Sequence, residues 1–129
     1  MKAVIHLQNG LPFVEVDIFY RQQKLRLPNV LIDTGSASTI LKLDLVEEIG
    51  LTAETNDVIG TISGVGGSEF VFFKTLDALE INGFRVENIQ VDIGVMDYGI
   101  ELDGIIGMDI LLKAKGVIDL NELILLCKR

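Results

Sequence analysis

The tetrapeptide Asp33-Thr34-Gly35-Ser36 has the clearest potential for chemistry in this sequence, and it follows an apolar run that ends at Ile32. Such a run predicts a buried strand that delivers the Asp33 carboxylate into a turn, which the glycine makes possible. A carboxylate placed against an apolar core is costly, and this cost indicates a function. Asp, Thr and Gly also favour ordinary turns, so the motif by itself is weak evidence.

The sequence offers little for catalysis by a serine or cysteine nucleophile paired with histidine. Carboxylates are therefore the candidate catalytic groups. The sequence has one histidine, His6, and one cysteine, Cys127. Ser-His and Cys-His pairs could form only through these two residues, and neither lies in a recognisable motif. A single cysteine allows neither an internal disulfide nor a cysteine-rich metal site. The sequence therefore predicts no metal site and no cofactor.

Two glycine-containing segments accompany the Asp33 motif. In Gly104-Ile105-Ile106-Gly107 an apolar pair lies between glycines just before a predicted helix, and the two isoleucines could simply be buried strand residues. Residues 62–69 are dense in glycine and lie between two apolar segments, as at the tip of a hairpin. This stretch lacks the Gly-Lys-Ser/Thr ending of a phosphate-binding loop, so nucleotide binding is disfavoured.

Short strands dominate the elements that must position these residues. Residues 14–18 alternate apolar and acidic side chains, which predicts a strand with one face on a core. The dipeptide Asn82-Gly83 lies between apolar segments and predicts a hairpin with a type I′ turn. A second hairpin is expected over residues 116–126, with its turn near Asn121.

Two short helices are predicted between the strands. The first spans residues 44–49, with Asp44 as its N-cap, Glu47 as the capping-box partner and Gly50 in the left-handed position after its end. The second runs over about residues 109–115 and stops at the glycine that follows. The fold class is therefore all-β, mainly strands with two short helices.

The composition fits one domain over residues 1–129 and limits the classes of partner that we expect. Apolar residues make up 49% of the chain, which is ample for a packed core. Nineteen acidic and eleven basic residues give a formal charge of -8 without any basic run, so nucleic acid is not an expected partner. No apolar stretch reaches the roughly 18 residues of a membrane span, and the first residues do not read as a signal peptide. We expect a soluble, cytoplasmic protein that does not bind membranes.

The order of these elements along the chain resembles that of the retroviral-type, or retropepsin-like, aspartic proteases, over nearly the whole sequence. Three elements match motifs of that family: Asp33-Thr34-Gly35 its central motif, residues 62–67 its flap, and Ile105-Ile106-Gly107 its hydrophobic-hydrophobic-glycine element. The resemblance implies a single-lobe acid-protease barrel that is active as a homodimer.

Two positions depart from the retroviral pattern. The retroviral enzymes usually carry an aspartate two residues past the motif glycine and an arginine after the second-motif glycine, where this chain has Ala37 and Met108. Those residues support an ion-pair network at the retroviral dimer interface, so a differently built interface is expected here. Gly107-Met108-Asp109 looks more like the cellular and prokaryotic relatives, and Ser36, where retroviral enzymes often have alanine, is closer to pepsin-like sites.

The resemblance implies an aspartic endopeptidase in which two Asp33 carboxylates, one from each subunit, share a proton and activate a water. Two such carboxylates titrate as a pair, because like charges so close cannot both ionise readily. The substrate would be a peptide or protein. The alternatives are a non-catalytic dimeric peptide-binding module of the same fold and a monomeric β-rich domain whose partner is a different chain.

Other roles also follow from the resemblance. Thr34 would lock the two motif loops across the dimer axis, and Ser36 would donate a hydrogen bond to the Asp33 carboxylate. Replacing Ser36 with Ala would then move the pH optimum of activity upward. The Ile105-Ile106-Gly107 element would support the loop from beneath, and the terminal segments 2–7 and 123–126 would contribute interface strands. The hairpin would close over a bound peptide, and the substrate-binding residues would be Leu31, Gly35, Ile40, Ile62, Val65, Gly66 and Ile105.

Overall fold

The computed structural model describes residues 1–64 and 67–129 of the chain. Its strands, in chain order, are β1 Lys2–Val4, β2 His6–Gln8, β3 Leu11–Tyr20, β4 Gln23–Ile32, β5 Ile40–Lys42, β6 Ile59–Gly64, β7 Gly67–Ile81, β8 Phe84–Gly94, β9 Gly104–Ile106, β10 Val117–Asp119 and β11 Ile124–Leu126. The helices are α1 Leu43–Val46, continued by a 3-10 helix Glu47–Ile49, and α2 Met108–Lys113.

The described strands form two sheets. The larger has the order β2-β3-β4-β9-β5-β8-β7-β6, and β3 also pairs with β7, which curls the sheet into a barrel. The smaller has the order β1-β11-β10 and brings both ends of the chain together. The mainly β architecture expected from the sequence is confirmed.

Alternation along β3 shows why these residues form a half-buried strand. Val14, Val16 and Ile18 are buried, Glu15 is exposed and Asp17 is partly exposed. One face of the strand therefore packs into the core and the other meets solvent, as the period of two predicts.

Both predicted hairpins are present. Asn82 and Gly83 have φ values of 41° and 91°, which fit the type I′ turn that joins β7 to β8. β10 and β11 pair antiparallel, and the Asp119 carboxylate accepts the backbone N–H of Asn121 and of Glu122 at 2.9 Å each. A short acidic side chain thus closes the second turn.

The helix boundaries differ from prediction, and the N-cap assigned to Asp44 is wrong. Strand β5 runs directly into α1, so the cap position falls on the extended residue Lys42, and no side chain caps this helix. Asp44 lies in the first turn, and Gly50 adopts the predicted left-handed conformation with φ of 77°. Helix α2 begins one residue early and ends at Lys113. None of the helices in the described ranges is long and apolar enough to cross a membrane.

Strand β9 is inserted between β4 and β5 and organises the centre of the barrel. It pairs parallel with β4, placing Ile106 opposite Ile32, and antiparallel with β5, placing Ile105 opposite Ile40. The loop after β4 and the residue after β9 therefore emerge at the same end of the sheet. This arrangement brings Asp33 next to Gly107.

A buried lysine holds the base of the β6–β7 hairpin. Lys74 Nζ lies 2.5 Å from a Glu54 oxygen and 2.9 Å from an Asp57 oxygen, and both acids belong to the segment that leads into β6. Burial alone would lower the pKa of Lys74, but its hydrogen bonds to the two carboxylates outweigh that effect and raise it. The lysine therefore stays charged and ties this segment to β7.

Ile106 is predicted to be a principal packing residue of the barrel centre, because its side chain has 0% exposure. Ile106→Ala should lower the free energy of unfolding by about 3 kcal/mol, through lost burial and a residual cavity. Urea denaturation measures the change. Leu112→Ala on α2, at a site 68% exposed, is the control and should shift stability by no more than ~0.5 kcal/mol. Similar small losses in both variants would contradict this assignment.

Candidate active site

Asp33 is held at the end of β4 by backbone hydrogen bonds. Its N–H donates to the carbonyl of Ile106 at 3.0 Å, and its own carbonyl accepts the N–H of Ser36 at 3.2 Å. Its Oδ1 accepts the backbone N–H of Gly35 at 2.8 Å. A Cβ at Gly35 would lie 3.1 Å from that Oδ1, so a side chain there would crowd the carboxylate. The turn thereby fixes one oxygen and leaves Asp33 partly exposed.

Gly107 supports the Asp33 loop through a very close backbone approach. A Cβ at this position would lie 2.4 Å from the carbonyl oxygen of Ser38 and 2.8 Å from that of Ser36. No side chain fits at such distances. The N–H of the next residue, Met108, donates to the Ser36 carbonyl at 2.7 Å. The second motif was expected to support the loop from beneath. The backbone of Gly107 and Met108 makes this contact with the backbone of the loop.

Thr39 and Asp109 form a second support that sequence reasoning missed. The buried Thr39 hydroxyl accepts the Gly107 N–H at 3.1 Å and donates to Asp109 Oδ1 at 2.8 Å. The Thr39 N–H donates to Asp109 Oδ2 at 3.1 Å, and Oδ1 also accepts the N–H of Ile110 at 2.8 Å. The one sequence signal that could have pointed to this support was an acidic residue, Asp109, in the first turn of α2. The sequence alone gives no partner 70 residues away.

A further buried carboxylate lies beside the loop. Asp92 on β8 is 5% exposed, and its Oδ2 accepts the Ser38 hydroxyl at 2.6 Å. Burial raises the pKa of Asp92, the Ser38 hydrogen bond opposes this, and the nearby charge of Asp109 adds to it. The carboxyl thus fixes the Ser38 side chain at the edge of the loop.

The hydrogen bond expected from Ser36 to Asp33 is absent, which corrects the sequence-based interpretation. The Ser36 hydroxyl donates to the carbonyl of Ser38 at 2.7 Å. A serine hydroxyl has a single proton, so the same group does not donate to the Asp33 carboxylate at the same time. The backbone N–H of Gly35 donates the hydrogen bond to the Asp33 carboxylate that was assigned to Ser36. The upward shift of the pH optimum expected for Ser36→Ala loses its basis.

Asp33 faces a cleft of about 950 Å³ between its own loop, the β6–β7 hairpin and residues 95–102. The predicted site residues that line this cleft are Leu31, Asp33, Gly35, Ser36, Ile40, Ile62 and Ile105. Three of the predicted residues do not line it: Thr34 is an exposed residue of the loop, and Ile106 and Gly107 are buried beneath the loop. Val65 and Gly66 fall outside the described residues.

A small apolar cluster forms the floor of the cleft. Its buried members are Phe13, Ile40, Met96, Leu102 and Ile105, with Leu31 and Ile62 packed against it. The two isoleucines of β9 face opposite sides, so Ile105 joins this cluster while Ile106 joins the main core. Residues 95–102, which supply Met96 and Leu102, have no regular strand or helix pattern, and sequence reasoning did not find them.

The described ranges contain no group of three or more His, Cys, Asp or Glu side chains arranged to hold a metal ion. The ionisable groups lining the cleft there are Asp33, Glu69, Asp97 and Tyr98. The geometry places an oriented Asp33 carboxylate at the edge of a largely apolar cleft.

The fold defined by this barrel and its Asp-Thr-Gly turn is that of a retropepsin-like aspartic protease. The crystal structure of a retropepsin-like aspartic protease from Rickettsia conorii matches it with a TM-score of 0.69 and 21% sequence identity, covering 98% of this chain and 88% of that chain. The sequence profile of the aspartyl protease family matches residues 14–110, and the chain belongs to that family. No protein with a curated description matches the chain by sequence.

Asp92 is expected to make stability depend on pH. Because its pKa is raised in the folded state, the folded protein binds more protons than the unfolded chain between the two pKa values. Its contribution is therefore most favourable below the unfolded pKa and declines as pH rises through the folded pKa. Asp92→Asn cannot ionise and can still accept from Ser38, so it should be more stable than wild type at neutral pH.

Thermal unfolding of Asp92→Asn and wild type across acidic and neutral pH measures this effect. The advantage of the variant should shrink as pH falls, because the wild-type carboxyl then becomes protonated too. A variant that is less stable than wild type at neutral pH would show that the ionised carboxylate is favourable at this site.

Proposed function

We propose that this chain is one subunit of a homodimeric aspartic endopeptidase that hydrolyses peptide bonds with a water activated by two Asp33 carboxylates. The observation that carries the proposal is the Asp33 turn itself. It presents a carboxylate with one oxygen oriented by the Gly35 N–H, at the edge of an apolar cleft. Membership of the aspartyl protease family supports the same activity.

The second carboxylate comes from a second copy of the chain. General acid–base hydrolysis needs one group to take a proton from the water and another to protonate the carbonyl oxygen of the substrate. The sequence contains a single Asp-Thr-Gly motif. A two-fold axis beside the exposed Thr34 would place two Asp33 groups around one water, where they share a proton because both cannot ionise readily.

The terminal sheet limits how two copies can join. Strand β11 is already paired on one edge with β1 and on the other with β10, within the same chain. Continuation of this sheet into a partner must therefore use the outer edge of β1 or of β10. We therefore propose the outer edges of β1 and β10 for strand pairing between subunits, since β11, within the predicted segment 123–126, lies between them.

Peptide binding is assigned to the apolar cleft. Leu31, Ile40, Ile62 and Ile105 share the floor cluster and the cleft lining, so they can contact apolar side chains of a substrate. The β6–β7 hairpin acts as the flap that covers the bound peptide and excludes water. Val65 and Gly66, which lie between β6 and β7 in the sequence, are proposed to contact the peptide backbone.

Asp33→Asn is predicted to abolish peptide cleavage while leaving fold and assembly intact, because the amide is nearly isosteric but does not exchange the proton. Digestion of a diverse peptide library by wild type and variant in parallel measures the activity and the side-chain preference. Thermal unfolding serves as the control for folding. Cleavage by the variant near the wild-type rate would remove Asp33 from the mechanism. Peptide binding without cleavage by wild type would instead favour the non-catalytic binding module.

Activity is predicted to depend on assembly, since each chain holds half of the site. Specific activity should fall on dilution in step with the dimer population measured by sedimentation. Mixing wild type with an equal amount of Asp33→Asn under exchanging conditions should reduce activity by more than simple dilution does, because mixed dimers carry one carboxylate. A fully active monomer would contradict this arrangement.

A further inference from the structure

Glu69, near the end of the β6–β7 hairpin, reaches across to the wall of the cleft. One of its carboxylate oxygens, Oε1, accepts the hydroxyl of Tyr98. The other, Oε2, accepts the backbone N–H of Met96 at 3.3 Å. Tyr98 and Met96 belong to the segment that follows β8, the strand paired with β7, and Tyr98 lines the cleft. A single carboxylate therefore connects the hairpin to the segment that follows β8.

The wall is shaped to receive this carboxylate. A Cβ at Gly94 would lie 3.4 Å from Glu69 Oε1, so the carboxylate packs closely against the backbone there. Met96 has a positive φ of 57°, uncommon for a residue with a side chain. Its N–H meets Glu69 while its side chain is buried in the floor cluster beside Ile40 and Ile105.

The chemistry of Tyr98 suits a permanent donor. Partial burial of Tyr98, which is 43% exposed, raises its pKa, and the hydrogen bond to Glu69 and the charge of that carboxylate raise it further. The hydroxyl therefore keeps its proton at neutral and moderately alkaline pH and donates to an ionised acceptor. Hydrogen bonds between a neutral donor and a charged acceptor are stronger than neutral pairs.

The hairpin end has few other attachments. Among its described residues, 62–64 and 67–70, Glu69 makes the side-chain hydrogen bonds that leave the hairpin, while Ser63 and Ser68 bond to each other. On the outer face, Ile59 and Phe70 are 71% and 77% exposed and pack against little. Ile62 provides the apolar contact with the floor. Loss of the Glu69 contacts would therefore free the hairpin end to lift.

We propose that Glu69 is a positioning residue, which clasps the hairpin to the cleft wall through Tyr98 and the Met96 N–H and so sets how far the hairpin closes over a bound peptide. The assignment rests on the proposed peptidase function for its role in substrate binding. The clasp, defined as Glu69, Tyr98 and the Met96 N–H, does not touch the Asp33 loop. Breaking it weakens the hold on the substrate and leaves the chemical step largely unchanged.

Amide hydrogen exchange tests the clasp without requiring activity. Tyr98→Phe removes only the hydroxyl, and Glu69→Ala removes both acceptors. Both should speed exchange of the peptide covering the β6–β7 hairpin relative to wild type and leave exchange in β3 and β8 unchanged, because local opening becomes easier. The matched control is Glu80→Ala, at the far end of β7, where the glutamate pairs with Arg85 at 2.6 Å. It should not alter exchange at the hairpin.

Steady-state peptide hydrolysis tests the role in binding. Tyr98→Phe and Glu69→Ala should each raise KM by about 3- to 10-fold with kcat within about 2-fold of wild type, as expected for loss of a partly exposed hydrogen bond to a charged group. Because the two side chains act through each other, the double variant should resemble the more affected single variant, giving clear coupling in kcat/KM. Glu80→Ala should match wild type in both constants.

The outcomes separate the two proposals. Absence of cleavage by wild type would refute the peptidase function, and exchange would still decide whether the clasp holds the hairpin. Unchanged hairpin exchange in Tyr98→Phe would overturn the clasp. Faster exchange with unchanged KM, or additive effects in the double variant, would overturn its role in substrate binding. If Glu69→Ala does not fold, Tyr98→Phe alone decides both measurements.

Discussion

The close approach of Gly107 to the Asp33 loop is the contact on which the site depends. Strand β9 enters between β4 and β5, and the residue that follows it passes so near the Ser36 and Ser38 carbonyls that no Cβ fits. Since the backbone of Asp33 is also bonded to Ile106, the Asp33 turn has little freedom to rearrange. Rigid main-chain support of this kind is how a site on a loop gains the precision of a site on a strand.

Buried and half-buried polar groups complete this support where backbone contacts end. Asp109 accepts three hydrogen bonds from Thr39 and Ile110, and Asp92 accepts one from Ser38. In the part of the chain that the structure describes, no buried side-chain nitrogen or oxygen lacks a partner. A satisfied network of this kind favours one arrangement, because each displaced group would lose its bonds in a low-dielectric interior. The carboxyls of Asp92 and Asp109, which take no part in the proposed chemistry, thereby fix the loop that presents the Asp33 carboxyl.

The hairpin over the cleft combines a firmly held base with a lightly held end. At the base, the buried Lys74 binds Glu54 and Asp57, and β7 pairs with β8 between Phe72 and Ile81. The end of the hairpin extends beyond the residues paired with β8. There the hydrogen bonds of Glu69 supply much of the contact between the hairpin and the rest of the protein. Under the proposed function, motion confined to the end admits a peptide without disturbing the Asp33 loop, which is anchored to β9 and α2.

The sequence alone determined the features that depend on local backbone preference and on periodicity. The type I′ turn at Asn82-Gly83, the left-handed Gly50, the alternation of β3 and the turn at Asp33 all follow from residues within a few positions of one another. The tertiary structure decided what each polar side chain bonds to. Ser36 turns to Ser38 and away from Asp33, Asp44 caps nothing, and Asp109 and Glu69 find partners 70 and 27 residues away. A side chain with one proton or one carboxylate has several nearby partners available, and only the packing of distant strands selects among them.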